Sequence, residues 1–352
     1  MFVSDGSDLQ NCLGCVNLRH KSNYFFNKPV SKEELEKKLG EIKGSYSKTT
    51  NFQKKFDDFS LQFPKKENNN IKAVDCVGDY IFSSKNARTC FEVTDCENCK
   101  FGYFIKGSKD SYDLTGFGYG AELLLECVGV GVSQRVIGTY WAEESHDIDY
   151  CYCVMSSENC FGCDGLKHAQ FSVLNKKYSK EEFEKVRQHI IEEMKEKGTY
   201  GHFIPVQLAP FAYNETIAQD NLPLTKEEAI RQGFRWEENP QMTKGKETLK
   251  PGDIPDHIRD IPDSITEEIL ACISCGRNYK ITAQELGLYR RETTPIPRKC
   301  FYCRHKERIE KRGPFALYAR KCVHCGKAIQ TTYGSERPEI VYCEQCYQAE
   351  VI

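Results

Sequence analysis

The sequence predicts a mostly β chain with flanking helices: a cysteine-rich β domain in the N-terminal part and a smaller domain built on paired cysteines at the C-terminal end. Three observations predict this fold class. Short apolar and aromatic runs alternate with turn residues between positions 71 and 174. A 32-residue segment occurs twice around those runs, and cysteines recur as Cys-x-x-Cys pairs along the chain. The composition is that of an ordinary soluble protein, with 28% charged residues and a formal net charge of −2.

The repeated segment frames the N-terminal β domain, which we assign to residues 1–200. Residues 11–42 and 159–190 are identical at 15 of 32 positions, including Asn-Cys-x-Gly-Cys and Ser-Lys-Glu-Glu. In each copy a serine stands three residues before a glutamate, which is the pattern of a helix capping box. Each copy is therefore expected to form a cysteine turn, a short strand and an amphipathic helix.

The apolar runs between the two copies have the length and spacing of short strands. Asp75-Cys76 and Asp95-Cys96 lie twenty residues apart, which suits one rung of a parallel β-solenoid. A sandwich also fits these runs, and the solenoid is the favoured interpretation. Residues 201–265 contain no cysteine and seven prolines, so they are expected to form a proline-spaced connector with one short helix at 225–233.

The C-terminal region, residues 266–352, carries eight of the nineteen cysteines in four successive Cys-x-x-Cys pairs. Zinc takes four thiolates in a tetrahedron, and two Cys-x-x-Cys turns supply them. The expected ligands of two structural zinc ions are Cys272, Cys275, Cys300, Cys303, Cys322, Cys325, Cys343 and Cys346. Ligation within neighbouring pairs (272/275 with 300/303) is the simpler arrangement, and an interleaved one (272/275 with 322/325) also fits the spacing. Buried free thiols and an iron–sulfur cluster are the less favoured alternatives.

This region resembles a known family. The segment from Leu270 to Arg304 is similar to the bacterial "probable zinc-ribbon" family. It contains Cys-Ile-Ser-Cys-Gly-Arg and Pro-Arg-Lys-Cys-Phe-Tyr-Cys-Arg. Arg337 to Tyr347 is similar to the end of a companion ribbon often found beside it. The cysteine repeat and Pro210 to Thr216 also resemble uncharacterised proteins of uncultivated bacteria that end in these ribbons. The resemblance implies a tandem zinc ribbon that binds zinc at the eight cysteines, and it implies no activity.

Basic residues cluster beside these cysteines, which suggests nucleic acid or a nucleoprotein as a partner. Residues 264–352 hold 15 Lys and Arg against 10 Asp and Glu, although two zinc tetrathiolates would offset four of the five excess positive charges. A solvated face beside charged metal sites is the simpler interpretation. The candidate contacts are Arg298, Lys299, Arg304, Lys306, Arg308, Lys311 and Arg312.

Weaker signals lie in the N-terminal part. Two of three further pairs could form a third zinc site if the fold brought the repeat copies together, with His20 and His168 as reserve ligands: Cys12/Cys15, Cys96/Cys99 and Cys160/Cys163. Residues 141–149 gather acidic residues and a histidine, which permits a solenoid-type hydrolase or lyase. Its candidate residues are Glu143, Glu144, His146 and Asp147.

The sequence favours a cytoplasmic, non-enzymatic binding or scaffold protein. No P-loop, dinucleotide fingerprint, Gly-x-Ser-x-Gly or His-Glu-x-x-His motif is present. No apolar run approaches the ~20 residues that span a bilayer, and Met1 to Asp5 lack the basic and apolar regions of a signal peptide. A protein–protein adaptor that binds through the β domain is the alternative to nucleic-acid binding.

Overall fold

A computed structural model of the chain describes residues 1–351. In that part the helices are α1 (Lys32–Ile42), α2 (Tyr46–Ser60), α3 (Lys180–Glu196), α4 (Ile217–Asn221), α5 (Lys226–Arg231), α6 (Ala283–Arg291), α7 (Phe301–Arg312) and α8 (Glu344–Val351). The N-terminal strands are β1 (Val3–Ser4), β2 (Ser7–Leu13), β3 (Cys15–Val16), β4 (Arg19–Phe25), β5 (Lys28–Pro29) and β6 (Lys65–Lys66). The fold is mostly β with flanking helices, as the sequence predicts.

The main sheet contains β7 (Val77–Phe82), β8 (Arg88–Thr94), β9 (Lys100–Lys109), β10 (Tyr112–Gly131), β11 (Gln134–Ile137), β12 (Tyr140–Glu143), β13 (His146–Asp149), β14 (Tyr152–Met155), β15 (Glu158–Phe161), β16 (Gln170–Val173) and β17 (Lys176–Lys177). The C-terminal strands are β18 (Leu270–Ala271), β19 (Asn278–Tyr279), β20 (Tyr318–Lys321), β21 (Ala328–Thr331) and β22 (Val341–Tyr342).

Strands β7 to β16 pair in parallel with a nearly constant offset of 12 residues. His146 pairs with Glu158, and Glu158 pairs with Gln170. A second ladder runs from β10 through β12 to β14, because the long β10 contributes to both. The chain thus returns beside itself every 12 residues, and we call residues 77–173 the coil. The repeat of twenty residues suggested by the two Asp-Cys pairs is wrong.

Every third residue of the coil points inward, which places four residues of each turn in its interior. Cys151, Val154, Ser157, Cys160 and Cys163 are all buried at this spacing. The residues just before the first four of them take a positive φ of 44–53°. This left-handed conformation turns the chain between short extended segments, although it costs an ordinary residue roughly 1–2 kcal/mol. The closely packed interior and the parallel ladders oppose that cost.

Inward hydroxyl and thiol groups complete the hydrogen bonding of successive turns. The amide of Ser157 donates to Ser145 Oγ at 3.1 Å, and the amide of Ala169 donates to Ser157 Oγ at 3.0 Å. Ser157 Oγ in turn donates to the carbonyl of Met155 at 2.7 Å. Buried polar groups are stable only when bonded in this way.

The two copies of the repeated segment form the same closing structure. In each copy the chain reverses into a short antiparallel pair, β4 with β5 and β16 with β17. Asn27 bonds both the amide and the carbonyl of Val16, at 2.9 and 2.8 Å, and Asn175 does the same to Asp164, at 2.8 Å in both bonds. Each asparagine thereby supplies the hydrogen bonds that a further strand would have made.

The helices α1 and α3 follow these closing pairs. The predicted capping box is present at Ser179 and Glu182, where both reciprocal bonds form. At Ser31 only half of it forms: the serine accepts from the Glu34 amide, and the carboxylate does not reach back. Leu35 of α1 packs with the buried Leu13 and Phe52, and Phe183 of α3 packs with the buried Phe161.

Residues 201–265 contain more structure than an extended connector. Helices α4 and α5 lie here, and α5 has the expected capping box at Thr225 and Glu228. Four isoleucines, at positions 254, 258, 261 and 265, are buried with Leu270, Ile281, Leu286 and Ile296 in one core. The end of the connector therefore packs against the segment that carries the first four C-terminal cysteines.

The C-terminal segments dock onto the N-terminal half. β22 pairs in parallel with β6, and β21 lies against β7. Thr332 Oγ1 donates to the buried Asp79 of β7 at 3.1 Å. Phe315, just before β20, is buried against Phe91 and Tyr103 of the coil.

Among residues 1–351, none of the helices has the length and apolar character that crossing a bilayer requires.

Candidate metal centres

The eight C-terminal cysteines form two groups of four, and we call these the first and second centre. In each centre the four sulfurs all lie within 4.8 Å of one another. The first centre contains Cys272, Cys275, Cys300 and Cys303, and the second contains Cys322, Cys325, Cys343 and Cys346. Neighbouring pairs in the sequence are thus grouped together, and the interleaved arrangement does not occur.

Both centres are built from the same two local structures. The first pair of each lies in a tight turn between two antiparallel strands, β18 and β19 or β20 and β21. In these turns Gly276 and Gly326 take a φ of 73° and 75°, and each donates its amide to the carbonyl of the first cysteine at 2.9 Å. A side chain would strain this left-handed conformation, so glycine fits it best.

The second pair of each centre stands at the start of a helix. Cys300 is the N-cap of α7 and Cys303 lies in its first turn, while Cys343 precedes α8 and Cys346 lies in its first turn. The amides and the positive end of the dipole at a helix N-terminus stabilise a sulfur that becomes anionic when it binds a metal ion. One pair of each centre is therefore held by a turn and the other by a helix N-terminus.

Backbone amides favour ionisation of one cysteine in each centre. Burial opposes ionisation of Cys272, but amides of Cys300, Cys275 and Ser274 directed at its sulfur outweigh burial and lower its pKa to about 6. Burial likewise opposes ionisation of Cys322, and amides of Cys343, Cys325 and His324 lower its pKa to about 6. Burial and the neighbouring thiols raise the pKa of Cys303 and Cys346. A cation is needed to bring all four thiols of a centre into the thiolate form that binds metal.

Three arginines next to the first centre carry buried nitrogens with no protein acceptor. These atoms are Arg277 Nε, Arg298 Nη1 and Arg304 Nε, and no other side-chain N or O atom of residues 1–351 shares this state. Each arginine lies within two residues of a cysteine of the centre. A tetrathiolate bound to a divalent ion keeps a net charge of −2, so the three guanidinium groups supply compensating charge.

The sulfur spacing fits a tetrahedral ion. Four sulfurs about 2.3 Å from a central zinc lie roughly 3.8 Å apart. Cys275 Sγ and Cys300 Sγ are 3.8 Å apart, and Cys325 Sγ and Cys343 Sγ are also 3.8 Å apart. Such a donor set suits zinc or iron and leaves no coordination position for water or substrate.

The N-terminal Cys-x-x-Cys pairs have a different role. None of them belongs to a group with metal-ligand geometry among residues 1–351. Ten of the eleven N-terminal cysteines instead donate their thiol to the carbonyl two residues earlier, at 3.2–3.6 Å. The structure does not bring the three pairs together into a third site. In Cys96/Cys99 and Cys160/Cys163, the spacing of three residues equals the period at which side chains of the coil point inward.

Most of the predicted nucleic-acid contacts take part in contacts within the chain. Arg298 is buried and donates to the carbonyls of Ile254 and Pro255, and Arg304 is half-buried. Arg312 pairs with Glu92 of β8 at 2.7 Å, and Lys311 pairs with Asp57 of α2 at 3.0 Å.

Of three further members of that set, Lys306 and Arg308 are exposed and Lys299 is half-buried. Lys299 pairs with Glu307, Lys306 lies 3.9 Å from Glu310 on the same helix, and Arg308 is exposed with no ion pair among residues 1–351. Sequence reasoning missed the docking role of this helix, because Glu92 and Asp57 are more than 200 positions away.

The acidic segment of the coil forms a chain of ion pairs. Asp147 accepts two bonds of 2.6 Å from Arg135, which lowers the pKa of its carboxyl to about 2. His146 lies between Asp147 at 2.9 Å and Glu158 at 2.8 Å. Glu144 accepts a bond from Ser156, and Glu143 is exposed on β12. These residues lie on outer positions of neighbouring turns, and the contacts of His146, Asp147 and Glu144 are those of paired surface charges.

No family model matches this chain, and no curated protein matches it.

Proposed function

We propose that this protein is a non-enzymatic, zinc-stabilised binding or scaffold protein. Two structural zinc ions, one in each centre, hold the C-terminal segments in the shape that attaches them to the coil. The observation that carries the proposal is the grouping of eight cysteines into two closed sets of four, with all sulfurs of a set within 4.8 Å of one another and one sulfur pair in each set at 3.8 Å. Because four thiolates complete the tetrahedron, these ions have a structural role.

The attachment of the second centre to the N-terminal half supports a scaffold role. β20 leads into Cys322 and follows Phe315, which docks on the coil, while β22 leads directly into Cys343 and pairs with β6, which precedes the coil. Loss of the ion would therefore loosen elements that also form the contact with the N-terminal half. Small metal sites of this kind contribute folding free energy outright.

Metal analysis of the full-length protein by native mass spectrometry tests this proposal. We expect two zinc ions per chain, one in the Cys300→Ser variant, and two in the matched Cys160→Ser variant, which alters a Cys-x-x-Cys pair of the coil. Full metal retention in Cys300→Ser, or one ion lost in Cys160→Ser, would contradict the assignment.

A second candidate function is binding of single-stranded nucleic acid by the exposed start of α7. Phe301 and Tyr302 are 58% and 61% exposed, and the cations Lys306 and Arg308 lie on the same helix. Exposed rings beside cations suit stacking with bases. Fluorescence anisotropy with labelled single-stranded DNA and RNA at low and moderate salt tests it. Binding should weaken in Tyr302→Ala/Arg308→Ala and persist in the control Arg259→Ala, and no binding at low salt would exclude it.

A further inference from the structure

A groove of about 610 Å³ lies between the connector and the segment that leads into β20. Its apolar lining includes Phe211, Tyr213, Leu222, Phe234, Pro314 and Tyr318. Phe211 is 62% exposed, and Leu222 and Tyr318 are also exposed. Rings and prolines that face solvent around one concave site are typical of surfaces that bind another polypeptide.

The strand beside this groove has an open edge. Among residues 1–351, β20 pairs only with β21, in an antiparallel register that joins Arg320 to Ile329. The amide of Cys322 donates to the carbonyl of Lys327, and hydrogen-bonded pairs alternate along an antiparallel ladder. The inward bonds therefore fall at Tyr318, Arg320 and Cys322. The amides and carbonyls of Ala319 and Lys321 face the open edge, where both residues are exposed.

Two cations without an ion-pair partner in the described part of the chain lie on this surface. Arg235 lines the groove and donates to the carbonyl of Ala209, and Lys321 lies on the open edge. Neither cation has a carboxylate within ion-pair distance among residues 1–351. The surface thus combines an unpaired strand edge, an apolar groove and two cations.

We propose that this surface binds an extended, acidic segment of a partner protein. The segment adds as a strand beside β20, places an apolar side chain in the groove, and sets acidic residues against Arg235 and Lys321. An open edge requires a partner with its own backbone donors and acceptors, which selects an extended polypeptide over a compact surface or a small ligand. This inference rests on the binding role proposed above and adds the location and the partner chemistry.

The probe is a display library of linear 12-residue peptides, selected on the full-length protein with both centres filled. We expect enriched peptides that alternate apolar and polar residues and carry at least one acidic residue. In hydrogen exchange, the synthesised peptide should protect the amides of Ala319 and Lys321. Failure to enrich any peptide, or protection elsewhere only, would overturn the proposal whatever the zinc content.

Two matched variants test the strand addition. Ala319→Pro removes an amide that faces the open edge, where proline is tolerated, and Ala319→Thr keeps that amide. Peptide affinity should fall at least tenfold in Ala319→Pro and change less than twofold in Ala319→Thr. Lys321→Glu should also weaken binding of the acidic peptide. Equal binding to Ala319→Pro would contradict the inference.

Two control measurements separate this inference from the proposed function. Zinc content, measured by native mass spectrometry, should stay at two ions in all three variants. With intact zinc content, a lost peptide response concerns this surface alone, whereas a missing ion would concern the centres. Light scattering of the full-length protein tests whether a second copy of this chain occupies the edge instead. A dimer that Ala319→Pro abolishes would assign the edge to that second copy and overturn the partner proposal.

Discussion

The ring of Phe315 lies nearly parallel to the ring of Phe91 on the coil, with centroids 5.1 Å apart and planes 17° apart. Tyr103 of the next turn stacks on the same ring at 5.6 Å. The Arg312 guanidinium covers Phe315 at 4.3 Å from its centroid and pairs with Glu92 beside Phe91. Phe315 lies in the chain between the two centres. Its contact with Phe91 therefore attaches the C-terminal region to the middle of the N-terminal half.

Replacement of Phe315 by alanine should therefore release the C-terminal segments from the coil. Truncation of a buried phenylalanine costs about 3–5 kcal/mol. Urea unfolding should show a loss of that size in the free energy of unfolding, while Phe211→Ala, at an exposed ring, should stay within roughly 0.5 kcal/mol. A loss below about 1 kcal/mol in Phe315→Ala would mean that the stacking does not hold the two parts together.

A methyl group at Gly78 should disrupt the start of the coil. Gly78 has a φ of 146°, and a Cβ there would lie 1.8 Å from the carbonyl oxygen of Cys90. Because this oxygen belongs to the backbone of the next turn, relief requires the turns to separate. Thermal unfolding of Gly78→Ala should show a loss of at least about 3 kcal/mol.

The matched control is Gly287 in the middle of α6, where a Cβ would meet no atom within 4 Å. Gly287→Ala should stabilise the protein by up to about 1 kcal/mol through helix propensity. If the two alanine variants have equal stability, the close approach at Gly78 is not real.

The buried pair of Asp149 and Arg187 predicts a pH dependence. Asp149 is buried and its carboxylate lies 2.7 Å from Arg187 Nε. Burial raises the pKa of Asp149, and Arg187 opposes that rise. Removal of the cation in Arg187→Leu leaves a charge without its partner, which costs about 3–5 kcal/mol at neutral pH.

The sign of that pH dependence follows from proton binding. With a raised folded-state pKa, the folded protein binds more protons than the unfolded chain above pH 3.8, so stability falls as pH rises through the window up to the folded pKa. Without Arg187 the pKa rises further. The deficit of Arg187→Leu in urea unfolding should therefore shrink between pH 7 and pH 5, whereas Arg187→Leu/Asp149→Asn should show no such change. A pH-independent deficit would contradict this account.

The inward cysteines of the coil should tolerate serine. Cys127 donates to the carbonyl of Leu125 at 3.2 Å, and Ser133, at another inward position, donates to Gly131 at 2.7 Å in the same geometry. Burial raises the pKa of Cys127 to about 12, so it remains an unreactive thiol. Cys127→Ser should change stability by no more than about 1 kcal/mol and leave the metal content unchanged. Loss of an ion in this variant would assign Cys127 to a metal site.

The C-terminal centres could be derived from the sequence because metal chemistry determines both the ligand type and the spacing. Cys272 and Cys275 form one of four successive Cys-x-x-Cys pairs, a pattern that is typical of tetrahedral zinc sites. The similarity of the two closing structures could also be expected, since they come from the two copies of the repeated segment, whereas the role of Asn27 and Asn175 in closing them was not predicted.

The coil itself was harder to predict because its inward positions accept many residue types. The inward positions are filled by residues of different polarity, such as Cys151, Val154, Ser157 and Cys160. The hydrophobicity of the sequence therefore shows neither the period of a strand nor that of a helix. Inward residues of the coil recur every three positions, so two successive inward cysteines have the same spacing as a Cys-x-x-Cys metal motif. The docking of Phe315 on Phe91 has no local signal, because it depends on two surfaces that are distant in the chain.

The central claim is that bound zinc holds the C-terminal segments in the form that docks on the coil. Hydrogen exchange of the full-length protein before and after removal of zinc by a chelator tests it most directly. We expect residues 266–351 to lose protection together with the coil surface around Phe91, while the interior of the coil around Ile148 stays protected, and readdition of zinc to restore the first pattern. Unchanged protection across 266–351 after complete loss of both ions would contradict the claim.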